Sequence, residues 1–289
     1  MSQVLEDLVD LLTLEPIEEN LFRGRSQDLG FRQLFGGQVL GQSLSAASQT
    51  VEEARHVHSL HGYFLRPGDA KLPVVYSVDR VRDGGSFSTR RVTAIQKGHP
   101  IFTCSASFQY DEKGFEHQGQ MPAVVGPENL PSELELIQQR AHLIPEHMRE
   151  KLLCPKPIEV RPVTEKDPYN PQPADPIKYV WFRADAALAD IPALHKYLLA
   201  YASDFGLLTT SMLPHGKSVW QKDMQVASLD HALWFHNDLR ADDWLLYAMD
   251  SPWAGNSRGF SRGSVFNRAG QLVASVTQEG LIRHRKDWA

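Results

Sequence analysis

Two polar side chains sit where the spacing calls for apolar ones. Between Ile191 and Phe205, Leu194, Tyr197, Leu198 and Tyr201 recur at helical intervals, and Asp204 continues their stripe three residues beyond Tyr201. A carboxylate there is expected to be buried or half-buried beside a helix C-terminus, where the dipole disfavours its charge. In the run 271–283, strand alternation places Gln278 on the face of Leu272, Ala274, Val276 and Ile282. A buried amide needs partners, and Ser228 in the run 224–235 can supply a hydroxyl. An acid, a hydroxyl and an amide converging in an apolar pocket can hold and orient a water. No strong nucleophile accompanies them, so the chemistry they suit is direct hydrolysis of an already activated acyl group. A thioester fits, because a thiolate leaves readily and demands little acid assistance. The competing reading of Asp204 is a partnered structural acid.

Other patterns are weaker. Gly259-Phe260-Ser261-Arg262-Gly263 matches the G-x-S-x-G nucleophile elbow, which needs a strand before it and a helix after it. Here strand, turn and strand follow, and too little chain remains for the acid and histidine an elbow serine requires. His56, His58 and His61 lie on one strand-like run. Alternation puts His61 on the face opposite the other two, so they share no ion without a bulge. Structural or substrate-contacting histidines are the preferred reading, and no metal site is expected. Gly36-Gly37 opens a helical stretch, and glycine amides at a helix N-terminus can face an anion or a developing oxyanion. No G-x-G-x-x-G or GxxxxGK[ST] supports a nucleotide fold.

The elements that must position these groups follow from periodicity. Helices are expected near 4–14, from Gly36 to about Thr50, and at 191–205. Strands are expected at 57–66, 73–82, 86–96, 101–110, 178–185, 224–235, 243–250, 258–267 and 271–283. Residues 122–176 hold 11 of the 18 prolines and one modest helix near 132–143, which reads as a long connector outside any sheet. The order of a helix followed by four strands recurs. Shifting one half by 169 residues lays Ser59 on Ser228 and Gln109 on Gln278, which favours a duplicated unit. The expected division is 1–118, a connector at 119–176, and 177–289. The first-half helix has no acid to match Asp204, so one working site per chain is expected.

The chain of 289 residues is 42% apolar and carries a net charge of −5, enough for a real core and unfavourable for a dedicated nucleic-acid binder. Cys104 and Cys154 form no CxxC and read as reduced thiols. No run of about 18 apolar residues suggests a membrane span. Acids stand at the N-terminus where a signal peptide would be basic, and Lys286-Asp287-Trp288-Ala289 is no targeting address, so a cytoplasmic location is expected.

Over nearly its whole length the chain resembles the type II acyl-CoA thioesterases. The residues that carry the likeness are Glu15 to Gln42, ending FGGQVLGQ, then VHSLHGYFLRPGD at 57–69, SFSTRRV at 86–92 and PIFTCSASFQ at 100–109. In the second half they are YLLAYASD at 197–204, SLDHALWFH at 228–236, RGFSRG at 258–263 and VASVTQEG at 273–280. The resemblance implies an α+β double hot-dog, two tandem units in which an antiparallel sheet wraps a long helix. It implies no cofactor, no metal, and a homo-oligomer, dimer or tetramer. It maps the family's water-activating trio onto Asp204, Ser228 and Gln278, with serine where the family often has threonine. The substrate would be acyl-CoA, hydrolysed to fatty acid and CoA. Gly36 and Gly37 become candidates for the oxyanion, and His58, Arg66, Arg90, Arg91, Arg258 and Arg262 for substrate or CoA phosphates. Two other readings remain open at this point: a hot-dog hydratase or dehydratase using His58 or His61, and a non-catalytic acyl-CoA-binding module.

Overall fold

The computed structural model describes residues 2–30, 33–144 and 146–285. The tetrapeptide Lys286 to Ala289, weighed above as a targeting signal, lies outside the described residues. Helix α1 (Gln3–Leu12) is capped by Ser2, whose hydroxyl accepts from the Leu5 amide, and buries Leu5, Leu8, Leu11 and Leu12 along one stripe. Two short strands unforeseen from periodicity follow, β1 (Glu15–Glu18) and β2 (Leu21–Gly24). Helix α2 (Gly36–Ser48) comes next, then strands β3 (His56–Phe64), β4 (Val74–Asp83), β5 (Phe87–Gln96) and β6 (His99–Gln109).

Helix α2 is buried almost all round, which suits a run of Ala, Ser, Leu and Gly inside a wrapped sheet. Its buried Gln42 is satisfied: the amide nitrogen donates to the carbonyls of Leu11 (2.6 Å) and Arg25 (2.9 Å), and the oxygen accepts from the Tyr76 hydroxyl (2.6 Å).

The proline-rich stretch contains α3 (Glu133–Gln139), with a Ser132/Glu135 capping box, and α4 (Glu146–Leu152). It also gives one strand to the sheet, contrary to expectation. Strand β7 (Ile158–Pro162) pairs with β8 (Ile177–Ala184) at the outer edge, where a terminal proline costs no inner ladder bond. Met121, Val124 and Leu130 pack over Trp181, Trp244, Leu246 and Phe266, and the Trp181 indole donates to the Val125 carbonyl at 2.8 Å. The connector thus covers apolar residues that would otherwise face water.

The second half holds α5 (Pro192–Ala202), a 3-10 helix Leu208–His215, and strands β9 (Met224–Ser228), β10 (Asp230–Phe235), β11 (Leu245–Gly255), β12 (Arg258–Asn267) and β13 (Leu272–His284). Among the described residues all strands join one 13-stranded sheet in the order β1-β2-β4-β5-β6-β3-β10-β13-β12-β11-β8-β7, with β9 extending alongside β13. The halves meet where β3 and β10 pair antiparallel, Leu60 opposite Leu233. Inside this sheet α2 and α5 lie against each other, and one core runs through both halves. Two units of long helix and antiparallel sheet, fused edge to edge, make a double hot-dog of the α+β class.

Two irregularities revise the face assignments. A register shift between Val265 and Phe266 in β12 pairs Ala274 with Val265 and Leu272 with Phe266. Leu272 therefore joins the tryptophan cluster, while Ala274 and Val276 stay in the main core with Gln278. In β6 burial alternates through Phe102, Cys104, Ala106 and Phe108, so Gln109 and the Ser107 opposite Ser59 belong to the outer face. The 169-residue overlay thus matches an outward Gln109 to an inward Gln278. It aligns letters and misses the face, because one residue of slip turns a side chain over.

Candidate active site

Asp204 lies just past α5, two residues beyond its last turn, at the mouth of α2. The helix end that faces its carboxylate is therefore an N-terminus from the other half of the chain. The Gly37 amide donates to it, and the local dipole favours the charge instead of opposing it. Gly36 and Gly37 permit this approach. A Cβ on Gly36 would stand 2.7 Å from Asp204 Oδ2, and one on Gly37 would stand 2.1 Å from the Tyr201 carbonyl oxygen.

Gln278 is fully buried on β13 and aims its amide nitrogen at Asp204 Oδ1, 2.7 Å away. The same nitrogen lies 3.1 Å from Ser228 Oγ and 3.2 Å from His231 Nδ1. Aromatic rings wall the carboxylate. Phe35 meets Tyr201 and Phe205, each at 5.1 Å between ring centroids, and Phe64 crowds Gly36. Burial pushes the Asp204 carboxyl up to about 6, and its bonds from Gln278 and Gly37 oppose that rise without cancelling it. A carboxylate poised near neutrality, held by two donors and set against apolar rings, can take a proton from water.

His231 is the residue that sequence reasoning missed. Strict alternation puts Ser228 and His231, three apart, on opposite faces. The run expected as one strand is broken at Leu229, whose amide donates to the Glu279 carbonyl and whose own carbonyl accepts from the Phe64 amide. That break turns both Ser228 and His231 toward Gln278. Ser261, the serine of the elbow pattern, lies within β12 directly opposite Gln278, with strand on both sides and no helix. Its hydroxyl is buried without a hydrogen-bond partner among the described residues.

These observations meet the comparisons with known proteins. Two family models match, acyl-CoA thioesterase over residues 148–281 and acyl-CoA thioesterase N-terminal domain over residues 24–109. Acyl-CoA thioesterase 2 of Haemophilus influenzae is 44% identical over 283 residues, which cover 98% of this chain and 99% of that protein. The chain belongs to the type II acyl-CoA thioesterase family. Human acyl-coenzyme A thioesterase 8 is 43% identical, with 94% of this chain and 88% of that protein covered. The crystal structure of an acyl-CoA thioesterase II from Mycobacterium marinum superposes with a TM-score of 0.79 at 43% identity, covering 96% of this chain and 99% of that one.

Within this thioesterase framework, Asp204, Ser228 and Gln278 come together with Gly36 and Gly37 beside the carboxylate, and the histidine and arginine candidates do not join them. Gly37 spends its amide on Asp204, so it is not an open oxyanion donor. Arg90 is no phosphate ligand. It is 1% exposed and bonds Thr50, the Arg82 and Thr89 carbonyls, and Asp83, tying the end of α2 to the β4–β5 hairpin. Arg91 pairs with Asp79, Arg258 with Glu279 and Arg262 with Asp250, and Arg66 donates to the Pro100 carbonyl. His58 lies on the outer face beside the inward Val57, its Nε2 2.8 Å from Ser107 Oγ, and the bulge between Val57 and Ser59 turns His61 to the same face. The expected separation of His58 from His61 therefore fails: beyond the bulge His61 shares the outer face, and burial first, then the His61 ring, holds the His58 imidazole below its usual range. Neither reaches Asp204. Among the described residues no cluster of three His, Cys, Asp or Glu side chains could hold a metal.

Proposed function

We propose that the chain hydrolyses acyl-CoA at Asp204, Ser228 and Gln278. That it is a hydrolase of thioester bonds follows from its family. The observation that carries the trio is the buried Asp204 carboxylate, raised to about 6 and held by Gln278 beside the Ser228 hydroxyl. Water held between Asp204 and Ser228 attacks the thioester carbonyl carbon and gives its proton to Asp204. The tetrahedral intermediate collapses, the C–S bond breaks, and CoA leaves as thiolate. The proton on Asp204 then returns to the thiolate or to solvent. No covalent acyl-enzyme is formed.

Asp204→Asn keeps the shape of the side chain and removes its basicity. Turnover, read as thiol release from a saturated acyl-CoA, is expected to fall by roughly 10²–10⁴, the scale of a positioned general base. Near-wild-type turnover by the folded variant would sink the mechanism. A saturated substrate also discriminates, since a hydratase has no double bond to act on and a binding module releases no thiol.

Three further points belong to the same reading: the division at 1–118, 119–176 and 177–289, a cytoplasmic location, and assembly as a homo-oligomer. Limited proteolysis, fractionation and sedimentation test them in turn. Among the described residues no helix is long and apolar enough to cross a membrane.

A further inference from the structure

His231 is fully buried, yet nothing in the hydrolysis described so far uses it. Its two ring nitrogens face different partners: Nδ1 lies 3.2 Å from Gln278 Nε2, and Nε2 lies 2.9 Å from Ser203 Oγ. The protons can be assigned in sequence from Asp204. An ionised carboxylate only accepts, so the atom of Gln278 facing it at 2.7 Å must be the amide nitrogen. An amide nitrogen only donates, so the His231 Nδ1 beside it must carry a lone pair. The ring is then neutral with its hydrogen on Nε2, pointing to Ser203 Oγ. Ser203 in turn donates its own hydrogen to the Ala200 carbonyl at 2.9 Å, within the last turn of α5. Each donor in this chain has an acceptor, and it ends on backbone.

The Gln278 nitrogen has two hydrogens and three acceptors in reach. One hydrogen goes to Asp204, and the second is shared between Ser228 and His231. When Ser228 turns to a water or a carbonyl oxygen, His231 remains as the acceptor that keeps the amide from rotating. The amide needs such a partner, because its oxygen is buried without one among the described residues. We propose that His231 is a positioning residue for the hydrolysis: a neutral imidazole, its tautomer set by Ser203, that accepts from the Gln278 amide and holds its nitrogen toward Asp204. Burial pushes the imidazole down to about 3, so the ring stays neutral throughout the range where Asp204 titrates. The proposal rests on the trio above and adds a group that acts through it.

Thiol release by the full chain tests this with four variants. His231→Leu removes the acceptor and is expected to lower kcat by about 10–100-fold, the scale for partners that orient a functional group, with KM little changed. His231→Asn places an amide oxygen near the Nδ1 position and is expected to recover most of that loss. Ser203→Ala frees the tautomer and should lower kcat in the wild-type background. It should cost nothing further in His231→Asn, which has no Nε2 for Ser203 to hold. Equal loss in folded His231→Leu and His231→Asn would overturn the proposal, as would a Ser203→Ala effect that persists undiminished in His231→Asn. If His231→Leu does not fold, the Ser203→Ala and His231→Asn cycle decides alone. Asp204→Asn at wild-type rate would instead condemn the trio itself, whatever the histidine variants do.

Discussion

At the scale of single residues, Asp204 is governed by a competition between burial and hydrogen bonding, and burial prevails. The apolar rings remove water from the carboxylate, while Gln278 and the Gly37 amide restore part of what water supplied. Two pH dependences follow. The basic form is the active one, so kcat/KM should fall about tenfold per unit below roughly pH 6 and lie flat just above it. A pH–rate profile with no acid limb in that region would remove Asp204 from the chemistry. Stability runs the other way from the usual carboxylate. The folded-state value of about 6 exceeds the reference value of 3.8, so the folded protein binds the extra proton between them. The contribution is fully present below pH 3.8 and is lost as pH rises through 6. Asp204→Asn should therefore match wild type in stability at pH 4 and exceed it by roughly 1–3 kcal/mol at pH 8. Denaturant titrations at the two pH values check this, and a variant less stable than wild type at pH 8 would show that the charge is not strained by burial.

At the scale of elements, two contacts decide the site. The first is the crossing of α2 and α5, close enough that Gly37 lies against the Tyr201 carbonyl and Gly41 against the Tyr197 carbonyl. Gly37→Ala forces its Cβ into that carbonyl, so α2 must shift away from α5. The expected cost is roughly 1–3 kcal/mol of stability, with lost turnover because the amide donor to Asp204 moves as well. Melting curves and thiol release measure both, and an unchanged melting temperature would contradict the packing described. The second contact is the face of β13. Gln278 points inward to Asp204, whereas Gln109 on β6 belongs to the outward face. Gln278→Ala is expected to lose roughly 10²–10³ in turnover, comparable to removing a preorganised donor. Gln109→Ala should leave turnover near wild type. Equal losses from the two substitutions would mean that the first half carries a site of its own.

At the scale of the whole molecule, the site belongs to neither half. Asp204, Ser228, His231 and Gln278 come from the second half, but the amide that faces the carboxylate, the Phe35 wall and Phe64 come from the first. The β3–β10 seam makes the sheet continuous and leaves each half with a bare inner edge if the two are parted. Residues 119–289 expressed alone should accordingly show less than about a hundredth of the intact rate, since small misplacement of positioned groups costs on that order. A second half that turns over acyl-CoA at near the intact rate would show that the first half is only scaffold.

The sequence by itself determined the alternation of helix and strand, the duplicated order and the inward Asp204 and Gln278, because periodicity within one element records which face is buried. Helix 191–205 and strands 258–267 and 271–283 were legible to within a few residues on those terms. Strands β1, β2 and β7 were not, being too short for a period to show. What only the tertiary structure decided lies at breaks in the period and between elements distant in the chain. The bulge at His58, the register shift that moved Leu272 and the kink at Leu229 each reverse a face, and a local pattern has no memory of a reversed face. His231 was hidden by one such kink. Arg90 read as a phosphate ligand because its burial depends on Thr50 and Asp83, which its own strand does not announce. The dipole at Asp204 was read as unfavourable from α5 alone. It is favourable because the N-terminus of α2, far away in sequence, arrives in front of the carboxylate, and two glycines let it come that close.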